Sequence, residues 1–267
     1  MKHNNKYIYP KTVREAIDGK RHYNINDKEK LPSVTTILSK TSPAEKEEGL
    51  RKWREKMGEE NATRIVDEAA ARGTAMHKIL ENYILKEGYL DLTNVGKDAH
   101  NMAMKIIADG LCNITEYYGL ESTLYYPGLY AGATDMIALH KNKMAIVDFK
   151  QTNKPKKREW IEDYCLQLAA YGMAHDYMHK TQIDKAVIMM CSKDNYYQEF
   201  VIEGEEENGS ENIERYLKKY KKKFSCDGVV WEFGYVDQKN RPIIGLGMKG
   251  LLYVELTVNE SVRDVHS

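Results

Sequence analysis

Asp148-Phe149-Lys150 closes the short apolar run Met144-Ala145-Ile146-Val147, and a strand of that kind ending on two charges constrains this chain more than any other feature. Side chains alternate between the faces of a strand. Ala145, Val147 and Phe149 therefore share a core face, while Ile146, Asp148 and Lys150 share the other. Buried charges are costly unless they are paired or bind a metal, so the far face needs a reason to hold both.

The preceding segment, Tyr130 to Leu139, also reads as a strand and is joined through His140-Lys141-Asn142-Lys143. A two-residue Lys141-Asn142 loop closes a hairpin, with Asn142 in the left-handed conformation that such turns favour. His140 then opposes Lys143, and counting back sets Asp135 opposite Asp148. Like charges directly opposed destabilise a strand pair. Two readings fit: a divalent cation lies between the carboxylates, or both acids sit on a solvated hairpin face.

A chain of 267 residues suits one domain, or one domain with an appendage. No apolar run approaches a membrane span of roughly 18 residues, and the N-terminus shows no signal-peptide hydrophobic region. The early acids Glu15 and Asp18 argue against a transit peptide, so a bacterial or phage-infected cytoplasm is expected, with no membrane partner. Cys112, Cys165, Cys191 and Cys226 are too scattered for a zinc knuckle or an iron–sulfur cluster. The net charge is zero, which counts mildly against nucleic acid, but its distribution is uneven. Lys150, Lys154, Lys156, Lys157 and Arg158 cluster just after the acidic pair, and Lys218 to Lys223 form a second cluster that reads as a solvated helix face.

Periodicity predicts helices from about Ala44 to Ala71, interrupted at Gly73, then from Thr74 to Lys86 and from Lys97 to Tyr118. Pro32 stands at a helix start, with Ser33 or Thr35 as cap. Strands are expected at Glu121–Tyr126, Tyr130–Leu139 and Met144–Lys150, followed by a helix from Arg158 to His179. Two further strands, Ala186–Cys191 and Tyr196–Ile202, precede a helix from Asn212 to Phe224 and a β-prone tail from Val229 to Val258. The order suggests an α/β fold with a central mixed sheet flanked by helices and an N-terminal helical region.

His77, with Glu81 one turn on to orient its ring, and the pair Gln167 and Tyr171 on one helix face are further polar positions near these strands. Taken singly, each reads more readily as an ordinary surface or boundary residue. Taken in order, however, Arg72-Gly73-Thr74-x-x-His77, Gly132-x-x-Asp135, Asp148-x-Lys150 and Gln167-x-x-x-Tyr171 resemble the RecB-like branch of the PD-(D/E)xK nucleases. The likeness is closest to the mitochondrial genome maintenance exonucleases and their phage relatives. Leu31-Pro32-Ser33-Val34-Thr35 and Lys154-Pro155-Lys156 look similar to further motifs of that group.

The resemblance covers roughly residues 20 to 224 and implies a nuclease unit at 1–225 (helical part about 31–118, sheet core about 119–225), with 226–267 as an extension of unassigned role. It implies that Asp135 and Asp148 ligate Mg²⁺ or Mn²⁺, completed by His77 and the Phe149 carbonyl, and that Lys150 positions or activates the attacking water. Gln167, Tyr171, Ser33, Lys154 and Trp53 are the expected substrate contacts. The implied partner is DNA, single-stranded with a free end; protein partners are unassigned. Gln151 departs from the small hydroxyl residue that often follows the lysine. A structure-specific or double-strand-end nuclease, and a non-catalytic DNA-binding protein, are the alternatives.

Overall fold

The computed structural model describes residues 1–203 except 18, 26–28 and 90, together with the backbone of 245–246 and 252–253. The expected helix at Asn212–Phe224 lies outside the described residues, as does nearly all of the tail. The chain divides into two compact units, Met1–Lys218 and Lys219–Ser267. Within the second, Gly245–Leu246 pairs antiparallel with Leu252–Tyr253.

The first unit contains β1 (Lys2–His3), β2 (Val13–Ile17), β3 (Lys20–Ile25), β4 (Glu29–Pro32), α1 (Val34–Lys40), α2 (Ala44–Met57), α3 (Glu59–Leu85) and α4 (Asn94–Asp109). It continues with β5 (Ile114–Tyr126), β6 (Tyr130–His140), β7 (Lys143–Thr152), α5 (Glu162–His179), β8 (Lys185–Ser192) and β9 (Tyr197–Glu203). The central sheet runs β1-β5-β6-β7-β8-β9 and is mixed, because β1 and β5 pair parallel, as do β7 and β8. Helix α5 makes the crossover that a parallel β7–β8 pair requires.

One face of the sheet carries Met136, Ala138, Ala145, Val147, Phe149, Val187 and Met189, packed against Met76, Ile79 and Leu80 of α3 and Met102 and Ile106 of α4. The predicted alternation along β7 holds, since Ala145, Val147 and Phe149 all belong to this core. On the opposite face Ile146 and Ile188 are also buried, and α5 packs there, its Tyr164 ring 5.2 Å from Lys150 Nζ.

The β6–β7 hairpin closes in the register that a two-residue loop predicts. His140 pairs with Lys143, and Lys141 and Asn142 both take positive φ, 50° and 66°, as a type I′ turn demands. Glu199 on β9 pins the base of this hairpin. Its carboxylate lies 3.1 Å from Lys141 Nζ and 3.3 Å from His140 Nε2, and accepts the Tyr197 hydroxyl at 3.0 Å.

Several expectations need correction. Ahead of the expected helical part, β2, β3 and β4 form a three-stranded sheet absent from the expected elements, and Pro32 ends β4 instead of starting a helix. These strands are short and polar, and their apolar contribution is the cluster of Tyr23, Ile25 and Leu31 on Ala131, so no long alternation announces them. Ser33 does cap α1, accepting the Thr36 N–H at 3.0 Å. The helix break falls at Gly58, whose φ of +79° suits glycine, while α3 runs unbroken through Gly73. Helix α4 ends at Asp109 rather than at Tyr118, and β5 claims Ile114 to Tyr118, where β-branched and aromatic residues fit the sheet. Among the described residues no helix is long and apolar enough to cross a membrane.

Hydrogen bonding to His140, working against burial, holds the Glu199 carboxyl down at about 2 instead of 4.5. A depressed carboxyl stabilises the fold above its unfolded value and loses that contribution as pH falls through the folded value. Glu199→Gln is therefore expected to lower the melting temperature at pH 7, with the deficit shrinking between pH 4.5 and about 2. Parallel thermal melts across that range check it; a deficit independent of pH would contradict it.

Candidate active site

The β6–β7 ladder stops at Met136↔Val147, one step short of Asp135 and Asp148. There the strands part, and the Phe149 N–H donates to Asp135 Oδ2 at 2.6 Å instead of to a backbone carbonyl. Asp135 is 9% exposed and Asp148 2%. The solvated-face reading of the two acids thus fails: they are buried at a fork in the sheet.

Two cationic side chains meet them. His77 of α3 places Nδ1 3.4 Å from Asp135 Oδ1. Lys150 forms an ion pair with Asp148. Burial works to lower the His77 pKa, but the charge of Asp135 beside it raises it to about 9. Burial raises Asp135 and the charges of His77 and Lys150 lower it, with a net lowering. Asp148 goes the other way: burial, joined by the charge of Asp135, raises its pKa despite Lys150. Burial works to lower the Lys150 pKa, but Asp148 and Asp135 outweigh it and hold the ammonium above its ordinary value.

A further acid, which sequence patterning does not single out, belongs to this group. Glu121 on β5 lies between the pairs Leu120↔Met136 and Ser122↔Thr134, and so stands opposite Asp135. Its φ is +46°, unusual for a non-glycine residue, and its Oε1 is 4.0 Å from His77 Nδ1. Burial and the charge of Asp135 raise its pKa to about 7. A countable signal does exist. Tyr126 pairs with Tyr130 around Pro127-Gly128-Leu129, and five steps back along each strand lead to Glu121 and Asp135.

One ligand atom each from His77, Glu121 and Asp135 lies within 4.8 Å of the others, a grouping able to hold a metal ion. The donor set, one imidazole nitrogen and two carboxylate oxygens with Asp148 adjacent, suits a divalent cation that takes oxygen ligands. Phe149 contributes its N–H to Asp135, and its ring meets that of His77 edge-on at 6.3 Å. Glu81 does not orient His77; it accepts from Lys78 at 2.9 Å.

The remaining candidates divide. Gln167 Nε2 donates to the Tyr171 hydroxyl at 3.1 Å, and Tyr171 is buried against Gly132 on β6. Ser33 is buried, its hydroxyl caps α1, and its backbone forms an isolated parallel bridge with Ala131. Lys154 is exposed beyond the end of β7, and Trp53 is half-buried on α2; no contact draws either one to the acids among the described residues. Gln151 has a defined partner set: its Oε1 accepts Arg72 Nε at 3.0 Å and its Nε2 donates to the Ala69 carbonyl at 2.9 Å. Arg72, 3% exposed, also bonds Asn153. This amide-and-guanidinium clamp ties α3, and so His77, to β7.

No protein-family model matches the chain. It is similar to mitochondrial genome maintenance exonuclease 1 of Mus musculus, 29% identical over 174 residues, which covers 61% of this chain and 50% of that protein. The same protein of Xenopus tropicalis is 28% identical over 178 residues and that of Homo sapiens 27% over 176. The chain spans about half the length of the curated relatives it matches. A solved structure of a protein from Eubacterium rectale overlaps 58% of this chain and 62% of its own at a TM-score of 0.37 and 11% identity.

A Cβ at Gly132 would lie 2.4 Å from Tyr171 Cε1. Gly132→Ala forces that buried ring aside, at about 1–3 kcal/mol. A fall in melting temperature of roughly 2–4 °C per kcal/mol is expected in a thermal scan; an unchanged midpoint would refute the contact.

Proposed function

We propose that this chain is a metal-dependent DNA exonuclease of the PD-(D/E)xK type that hydrolyses single-stranded DNA from a free end. The observation that carries the reading is the buried fork itself: Asp135 and Asp148 together, with Lys150 paired to Asp148 and His77 against Asp135. A fold that needed only stability would gain little from acids abreast in its sheet. The named relatives are exonucleases, which supports the reaction class. The nuclease unit is assigned to 1–225, and the site residues to Asp135, Asp148, Lys150 and His77, joined by Glu121.

A divalent cation, when bound, neutralises phosphate charge and lowers the pKa of a coordinated water. The residues of the chain do the rest. Asp135, locked by the Phe149 N–H, presents its other oxygen, Oδ1, towards His77. Lys150 is kept charged by the two aspartates and supplies a fixed positive group where negative charge develops on the phosphate oxygens. Asp148 holds that ammonium in place. Gln167 and Tyr171 shape the wall formed by α5. Ser33, buried beneath, acts through the position of α1 instead of by touching substrate. Lys154 and Trp53 are left to contact the strand further out.

The test uses end-labelled linear single strands, linear duplexes and circular single strands, each with Mg²⁺, Mn²⁺ or EDTA. Linear single strands are expected to be degraded with metal and spared with EDTA, and circles to survive. Asp148→Asn and Lys150→Ala are each expected to fold yet lose roughly 100- to 1000-fold in kcat. Equal turnover with EDTA would overturn the enzyme reading. Cleavage of circles would remove the need for an end, and a preference for duplexes would favour a double-strand-end nuclease.

A further inference from the structure

Beside Glu121 a cavity of about 340 Å³ opens between the segment that runs into β2 and part of β5. Its walls include Lys11, Thr12, Arg14, Glu121, Ser122 and Thr123. Two cations and four hydroxyl-bearing side chains, Tyr9 among them, around one space, with Glu121 as a shared wall, make a cavity suited to a polar, charged ligand.

Arg14 is built into position. Its guanidinium carbon lies 5.8 Å from the centre of the Tyr23 ring, and the Tyr23 hydroxyl is itself anchored by the Ala133 N–H at 3.2 Å. The other end of Arg14 lies 3.8 Å from Glu121 Oε2, longer than a hydrogen bond, and half of its side chain remains open to solvent. Arg14 lies within cation–π range of a buried ring, and a guanidinium fork lining a cavity is well suited to a phosphate. The opposite wall is equally fixed: Thr12 Oγ1 and Thr123 Oγ1 are 2.8 Å apart and Ser122 Oγ donates to the Leu120 carbonyl. Lys11 is exposed at the mouth. The positive φ of Glu121 sits at the partition between the two spaces, where backbone strain commonly marks a functional position.

We propose that this cavity is a phosphate-binding subsite for the nucleic-acid strand, in which Arg14 and Lys11 hold a phosphate next to the one at the metal group. The proposal rests on the nuclease reading for the identity of the strand. Arg14 offsets Glu121 when the cavity is empty and turns its free donors to phosphate when the strand enters. The subsite gives a role to the β2–β4 sheet, which adds little core of its own: β2 carries Arg14, and the segment before it Lys11, to the edge of the site.

Two measurements test it. Fluorescence anisotropy in EDTA with a labelled single-stranded oligodeoxynucleotide reads binding without turnover, and steady-state cleavage with Mg²⁺ or Mn²⁺ reads KM and kcat. The double variant Lys11→Gln/Arg14→Gln is expected to raise Kd and KM about 10-fold while kcat stays within about two-fold. Its plot of log affinity against log salt should flatten by about 0.7 for each phosphate that the variant no longer neutralises. Lys97→Gln/Lys105→Gln on α4 removes the same charge elsewhere and is expected to change neither. If Arg14→Gln impairs folding, Lys11→Gln alone at its exposed position carries the test with half the change in slope. Wild-type cleavage with a double variant that matches the α4 control overturns the subsite and leaves the nuclease reading intact. Loss of binding in the double variant, with no cleavage by the wild type, does the reverse. No binding of the strand by the wild type overturns the subsite outright.

Discussion

Three carboxylates abreast, Glu121, Asp135 and Asp148 on the adjacent strands β5, β6 and β7, are the constraint around which the first unit is arranged. Opposed like charges destabilise a sheet, and burial deepens the penalty. The compensating groups come from β7, α3 and β2. The Phe149 N–H leaves the ladder to bind Asp135, His77 arrives from α3, Lys150 pairs with Asp148 along β7, and Arg14 faces Glu121 from β2. Lys150 relieves Asp148 locally, but Asp135 depends on His77 brought in from α3 and on the Phe149 N–H across the hairpin.

Much of the surrounding polar structure holds those pieces in register. Arg72 and Gln151 lock α3 to β7, so His77 reaches the fork at a fixed depth. Glu199 pins the turn that sets Asp135 against Asp148. Tyr171 presses on the bare backbone at Gly132, and the Tyr130 hydroxyl donates to the Ala170 carbonyl, seating α5 on β6. These are long-range contacts between polar or small residues, and their common effect is to position the acids.

How much of this is legible in the sequence follows from the range of each signal. The Asp135–Asp148 opposition is readable because a two-residue turn fixes strand register, and Lys141-Asn142 adopts the backbone such a turn needs. Glu121 is equally countable across Pro127-Gly128-Leu129 but carries no apolar run to draw attention. His77 can be reached only through the order of family motifs, since nothing local separates it from any other helical histidine. The β2–β4 sheet escapes because its strands bury few side chains. Helix α4 is expected too long because Ile114 to Tyr118 continue an apolar pattern that a helix and a strand both satisfy. Gly73 looks like a break, whereas α3 runs through it and a Cβ there would only touch the Gln151 Cγ, at 3.4 Å.

Anomalous diffraction from crystals soaked in Mn²⁺ tests most directly whether the row exists to hold a cation. A single peak between His77, Glu121, Asp135 and Asp148, absent from an Asp135→Asn crystal, is the expected result. Well-ordered crystals with no peak at the fork, or one unaffected by that substitution, would contradict it.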